Sequence, residues 1–329
     1  MQQSIQTHIC CSDNFSKLKR NKKLLTYYTG FDDENVYKEF LEFINPEERH
    51  SFSEKISSEN QIFLVLMKLR QGFDNSDLSA RFNLGPKVVS NIFINWINIM
   101  YTRLGGLCIW PDRKDLLSCA PEAFKIKFPS TILILDCTEL KIQSPSDLVK
   151  QSQSYSSYKS HNTLKGLVGC SPAGCTIFVS ELYTGSISDK KITEECGLYD
   201  VLKKKLEVGQ ILPGDGIMID KGFSIKEELK NLGLEINVPP MGTELQFSAA
   251  DVQETRKIAS CRVHVERAIR KIKTYKILKG VIPIKMIPHI NQIWTVCALL
   301  SDFRCIINEN FDNSSIINEN FDNSNLQDM

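Results

Sequence analysis

The decapeptide TILILDCTEL, residues 131–140, constrains this chain most. Residues 131–135 read as a buried strand, and the run ends on the carboxylate of Asp136, with Glu139 close behind. An aspartate at that point either caps a turn or stands on a rigid sheet edge as a metal ligand. Further strand-like runs follow downstream. Residues 163–170 and 175–183 read as strands joined by a hairpin-like turn at 171–174. Residues 216–220 form a short strand ending on Asp220, and 234–240 form another. Helices are expected over 188–206 with Ser188 as N-cap, over 224–233, and over 248–276 with Ser248 as N-cap. The order predicts a mixed α/β sheet whose first three strands form an antiparallel meander. The later strands alternate with helices, so their neighbours can run parallel.

Upstream the period is helical. Helices are expected over 31–44, over 54–71 with Ser53 as cap, over 74–84 and over 87–104. A short helix, a turn and a longer helix fit a helix-turn-helix reader of DNA, with Lys87, Ser90, Asn91 and Asn95 as candidate contacts. A plain helical bundle has the same spacing. Four segments result: a flexible basic tail (1–30), the helical region (31–109), the α/β domain (110–304) and a disordered Asn-rich tail (305–329). The last carries IINENFDNS twice, at 306–314 and 316–324, too few copies for a solenoid.

Composition narrows the class. With 42% hydrophobic and 24% charged residues, the chain reads as globular. Its 11 cysteines include no C-x-x-C and its five histidines are scattered, which disfavours a disulfide scaffold or a zinc module. Reduced, intracellular thiols are expected. The start lacks a signal-peptide pattern, no apolar run reaches 18 residues, and no membrane span is expected. A net charge of +1 does not announce a nucleic-acid partner, but residues 17–23 and 262–279 are locally basic, and Arg270 and Lys273 in the latter are candidate DNA contacts.

If the strands ending on Asp136 and Asp220 are neighbours, both carboxylates share one sheet edge. Glu266 lies beside the apolar stripe of the long helix, with Arg262 one turn before it and Arg270 one turn after. Three converging carboxylates repel unless a cation sits among them, and oxygen ligands suit Mg²⁺ or Mn²⁺. Two such ions about 4 Å apart can hold a phosphodiester. The plainer account makes Asp136 and Asp220 turn residues and pairs Glu266 with Arg262 or Arg270. Asp189 caps a helix start or tunes the site. Lys159 and His161, in a surface loop, and Arg262 are candidate phosphate contacts, and Glu139 falls outside the ligand set.

The stretches ILDCTEL, YSSYKSHNTLKGLVG, SPAGCTIFVSELYTGSISDK, MIDKGF, NVPP and TRKIASCRVHVERAIRKIK occur in an order that resembles the DDE-type transposase superfamily, in particular its Harbinger-like group. The helical region resembles the helix-turn-helix preceding that domain. The resemblance implies an RNase H-like catalytic domain with a mixed sheet, preceded by an all-helical region. It implies a metal-binding catalytic triad, carried over to Asp136, Asp220 and Glu266, with two Mg²⁺ or Mn²⁺ ions. The implied chemistry is DNA strand cleavage followed by transfer through a 3′-hydroxyl. Expected partners are double-stranded DNA, a separate DNA-binding protein and a second copy of the chain, in the nucleus, with the cytoplasm as a second compartment, and away from membranes. The rival expectation is a noncatalytic DNA- or chromatin-binding protein that keeps the fold.

Overall fold

A computed structural model describes residues 20–239 and 249–303. The helical region opens with α1 (Lys22–Thr29), capped by the Asn21 side chain, and α2 (Glu34–Ile44), capped by Asp33. Residues 22–29 are therefore not a tail: Leu25 and Thr29 are buried. Next come α3 (Ser58–Gln71), α4 (Asn75–Phe82) and α5 (Pro86–Gly105). The cap of α3 is Ser57 rather than Ser53, because the Ser57 hydroxyl accepts from the Asn60 amide. Gly72 stops α3 in the left-handed region, φ 71°. Proline starts α5, where its missing N–H costs no helical bond.

Short helices α6 (Arg113–Ser118) and α7 (Glu122–Lys127) lead into β1 (Thr131–Lys141). Helix α8 (Leu148–Ser154) and β2 (Tyr155–Ser156) precede β3 (His161–Cys170), β4 (Thr176–Val179) and β5 (Tyr183–Thr184). Then follow α9 (Asp189–Glu195), α10 (Leu198–Glu207), β6 (Gly216–Met218), α11 (Lys226–Asn231) and β7 (Glu235–Asn237). The long helix α12 (Ala249–Ile272) and α13 (Ile290–Ser301) complete the described chain. The expected cap Ser248 lies outside the described residues.

Three expectations need correction. The first strand does not stop at Asp136 but runs to Lys141, because β3 pairs with it antiparallel from Ile134↔Cys170 to Lys141↔Thr163. The expected helix 188–206 is two helices, broken where Gly197 takes φ 78°. The expected strand 175–183 is likewise two short strands, β4 and β5.

The main strand order is β2-β3-β1-β6-β7, with β4 and β5 also on β3. β1 and β3 are antiparallel, whereas β1–β6 and β6–β7 are parallel, as the alternation with helices predicted. Ile134 and Met218 face α12 and α7 in a core with Phe124, Ile258, Cys261 and Val265. Leu133, Leu135, Ile217 and Ile219 pack on the other side with Ile192, Leu198, Leu202 and Leu229 of α9 to α11. Helices on both faces of a mixed sheet, with an antiparallel half followed by a parallel half, make this an RNase H-like fold.

The helical region is continuous with this body. Its core residues Phe40, Leu66, Trp96 and Met100 join Leu140, Ile272, Tyr275 and Trp294 in one cluster. Among the described residues no helix is long and apolar enough to cross a membrane.

One glycine is decisive for the segment leading to Asp189. A Cβ on Gly185 would lie on the Thr163 hydroxyl and 2.7 Å from the Ser154 carbonyl oxygen. Gly185→Ala is expected to cost about 2–3 kcal/mol by overpacking. Urea unfolding checks this; a midpoint equal to the wild type's would refute it.

Candidate active site

Ile134 pairs with Met218 across the parallel β1–β6 junction. Side chains alternate along strands, so Asp136 and Asp220, each two residues further on, lie level with each other on the side facing α12. Asp136 is part of the ladder, opposite Val168. Asp220 leaves β6 and caps the 3₁₀ turn Lys221–Phe223. Each carboxylate accepts from the next backbone amide, Asp136 from Cys137 at 3.0 Å and Asp220 from Lys221 at 2.7 Å.

Arg262 of α12 spans the pair. Its guanidinium stands 3.4 Å from Asp136 Oδ1 and 3.3 Å from Asp220 Oδ2. Cys261 and Val265 bury the same helix against the sheet, which carries Arg262 over Asp136 and the turn after β6. Its Nε is buried without a hydrogen-bond partner, so the clamp leaves one donor unsatisfied. Arg262 thus pairs with the two aspartates and not with Glu266, the partner the plainer sequence account assigns to it.

Asp189, the first residue of α9, joins the same neighbourhood. Lys165 Nζ donates to its Oδ1 at 3.0 Å and to the Ile187 carbonyl at 3.0 Å. A Cβ on Gly222 would meet Asp189 Oδ2 at 3.1 Å, so Asp189 abuts the turn that holds Asp220. Lys165 was not anticipated; its signal was a lone cation inside an otherwise apolar strand.

Burial raises the Asp136 carboxyl to about 6; Arg262 and the Cys137 amide pull it back, while Asp220 and Asp189 push it further up. Burial, reinforced by Asp189, also pushes the Cys137 thiol far up, so it is no nucleophile at neutral pH. The Asp136 shift sets a pH dependence. Between its ordinary 3.8 and about 6 the folded chain holds a proton that the unfolded chain has released. On this account stability falls as pH rises through that window, with a ceiling of about 3 kcal/mol. Asp136→Asn removes the penalty. In chelator, the variant is expected to melt above the wild type at pH 7, with the difference closing toward pH 4. A difference independent of pH would contradict the assignment.

The structure does not bring every expected residue here. Glu266 lies one turn beyond Arg262 on α12 and is exposed. Among the described residues, no group of three or more His, Cys, Asp or Glu is placed to hold a metal ion. Two carboxylates and a guanidinium are thus assembled, without the third carboxylate. His161 is exposed at the opposite end of β3 from Val168, and Lys159 stacks over the Tyr158 ring at 4.3 Å. Glu139 accepts from the Thr163 hydroxyl at 2.7 Å, and its carbonyl takes the Lys273 ammonium at 2.9 Å. Arg270 is exposed. On α5, Lys87 and Asn91 are exposed, while Ser90 and Asn95 are half-buried.

A family model described as DDE superfamily endonuclease matches residues 135–302. A second, described as helix-turn-helix of DDE superfamily endonuclease, matches residues 54–106. No curated protein matches the chain.

Proposed function

The chain belongs to the DDE superfamily of endonucleases, and on that premise we propose that it is a metal-dependent DNA endonuclease of transposase type. The observation that carries this reading is the placement of Asp136 on β1 and Asp220 just past the adjacent parallel strand β6, with both carboxylates turned toward one cationic group. That donor set fits a hard divalent cation: two carboxylates converge on one position, where the Arg262 guanidinium supplies the positive charge. Asp136 and Asp220 would hold Mg²⁺ or Mn²⁺, with Glu266 as the third ligand. A pair of such ions supplies activation of water or a 3′-hydroxyl and stabilisation of the leaving oxygen.

The chain's own residues prepare the site. The Cys137 and Lys221 amides fix the two carboxylate orientations. Lys165 and Asp189 brace the turn after β6. Helix α5 offers Lys87, Ser90, Asn91 and Asn95 to double-stranded DNA, and Arg270 lies on the helix that carries Glu266. A genomic DNA substrate implies work in the nucleus.

One observation favours a second reading, a DNA-binding protein that keeps the fold without cleavage: no three-carboxylate group is assembled among the described residues. Cleavage of duplex DNA by the wild type and Asp220→Ala, with Mg²⁺ or Mn²⁺ and with chelator, separates the two. Metal-dependent cutting lost in the variant supports the enzyme; binding without cutting in both supports the alternative.

A further inference from the structure

Away from the carboxylates, a cleft of about 620 Å³ opens between the helical region and the segment that follows α12. One wall is α3 to α5, including Lys68, Ser90 and Phe93; the other runs from Lys276 through Lys285 to His289. The walls are tied together. Lys276 Nζ donates to Gln71 Oε1 at 2.7 Å, and Arg70 bonds the Thr274 hydroxyl.

The cleft's charge is one-sided. Lys68, Lys276, Lys279 and Lys285 line it against the single acid Asp74, in a chain whose net charge is only +1. Lys279 and Lys285 are exposed, and among the described residues neither has an acidic partner. Lys68 is held inside, donating to the Phe73 carbonyl and to Asn75 Oδ1 at 2.7 Å. Burial drives it down to about 8; Asp74 offsets part of this, and Lys285 lowers it further. Four ammonium groups on one cleft raise the local positive potential, a cost that a bound anion relieves.

Ser90 belongs both to this cleft and to the exposed side of α5 near Lys87 and Asn91. We propose that this cleft takes the phosphodiester backbone of duplex DNA lying along α5. The inference rests on the reading of the chain as a DNA enzyme and adds a positioning contact that links the helical region to the helix bearing Arg262 and Glu266.

The test is fluorescence anisotropy of a labelled duplex across a salt series, using Lys279→Gln/Lys285→Gln. A second double variant, Lys203→Gln/Lys204→Gln on exposed positions of α10, controls for net charge. Each lost phosphate contact lowers the slope of log affinity against log salt by about 0.9. The cleft variant is expected to lose about two from that slope, and roughly fiftyfold in affinity near 0.1 M salt, on unrelated sequences alike. The control variant is expected to keep the wild-type slope. Equal slopes for wild type and cleft variant, or equal losses in both variants, overturn the cleft while leaving the enzyme reading in place. A wild type that binds no duplex overturns both. Displacement of the duplex by a Glu-rich peptide at lower concentration than by unlabelled DNA would assign the cleft to a protein and overturn the proposal.

Discussion

Asp220→Asn is expected to lower metal-dependent strand cleavage by roughly 10³-fold, with Asp136→Asn falling as far. The magnitude follows from what a bound divalent ion supplies: several kcal/mol of transition-state stabilisation, where each 1.36 kcal/mol is tenfold in rate. Removing one of two carboxylates that converge on a single cationic position disables that position rather than weakening it. Affinity for the duplex is expected to hold or to rise slightly, since the substitution deletes a negative charge near phosphate. Gel-based cleavage and anisotropy on the same preparations check both halves. Cleavage by either variant within tenfold of the wild type would remove these aspartates from the chemistry. Glu266→Gln gives the finer distinction. A loss equal to the aspartate variants makes Glu266 the third ligand, although the fold leaves it exposed. Cleavage retained in that variant alone would confine the site to Asp136 and Asp220.

The second large effect concerns stability. Asp215, whose side chain is 1% exposed, sits immediately before β6 and receives Arg113 at 2.8–3.0 Å through Nε and Nη2. The Leu212 amide completes its shell at 2.8 Å. Arg113→Ala leaves a buried carboxylate without its cation, at a cost of about 3 kcal/mol, the lower end for such losses because the arginine is itself 35% exposed. For a body of this size that is a fall in Tm of roughly 5 °C. Arg113→Ala/Asp215→Ala is expected to recover part of the loss, because the unpaired charge is gone. Well below its Tm, Arg113→Ala is expected to keep near-wild-type cleavage, since Arg113 braces the strand leading to Asp220 and touches no reacting group. Thermal melts of the two single variants and the double variant check the energies. A single-variant loss under 1 kcal/mol would show that water reaches Asp215.

Much of the fold is legible in the residues themselves. The apolar run 131–135, the hairpin-like turn at 171–174 and the alternation after Ser188 predicted an antiparallel half and a parallel half, and the sheet has both. Ser188 caps α9 as expected, its hydroxyl accepting from the Lys191 amide at 3.1 Å. These features depend on neighbours a few residues away, so the local pattern carries them. Strand ends are less legible: Asp136 to Lys141 lack an apolar run, and only the ladder with β3 holds them extended. The division between helical region and sheet domain also reads more sharply in sequence than in space, where Trp96 and Trp294 belong to one core.

For the site, the sequence by itself determined that Asp136 and Asp220 each follow an apolar strand run and that an arginine and a glutamate share one helix, because residue type and local period are written in the chain. Only the tertiary structure decided that β1 and β6 are neighbours in matching register, that Arg262 rather than Glu266 reaches both aspartates, and that Lys165 braces Asp189. Each of those contacts joins residues more than twenty positions apart. Their geometry follows from how α12 packs across the sheet and how the strands pair, and no local period encodes either.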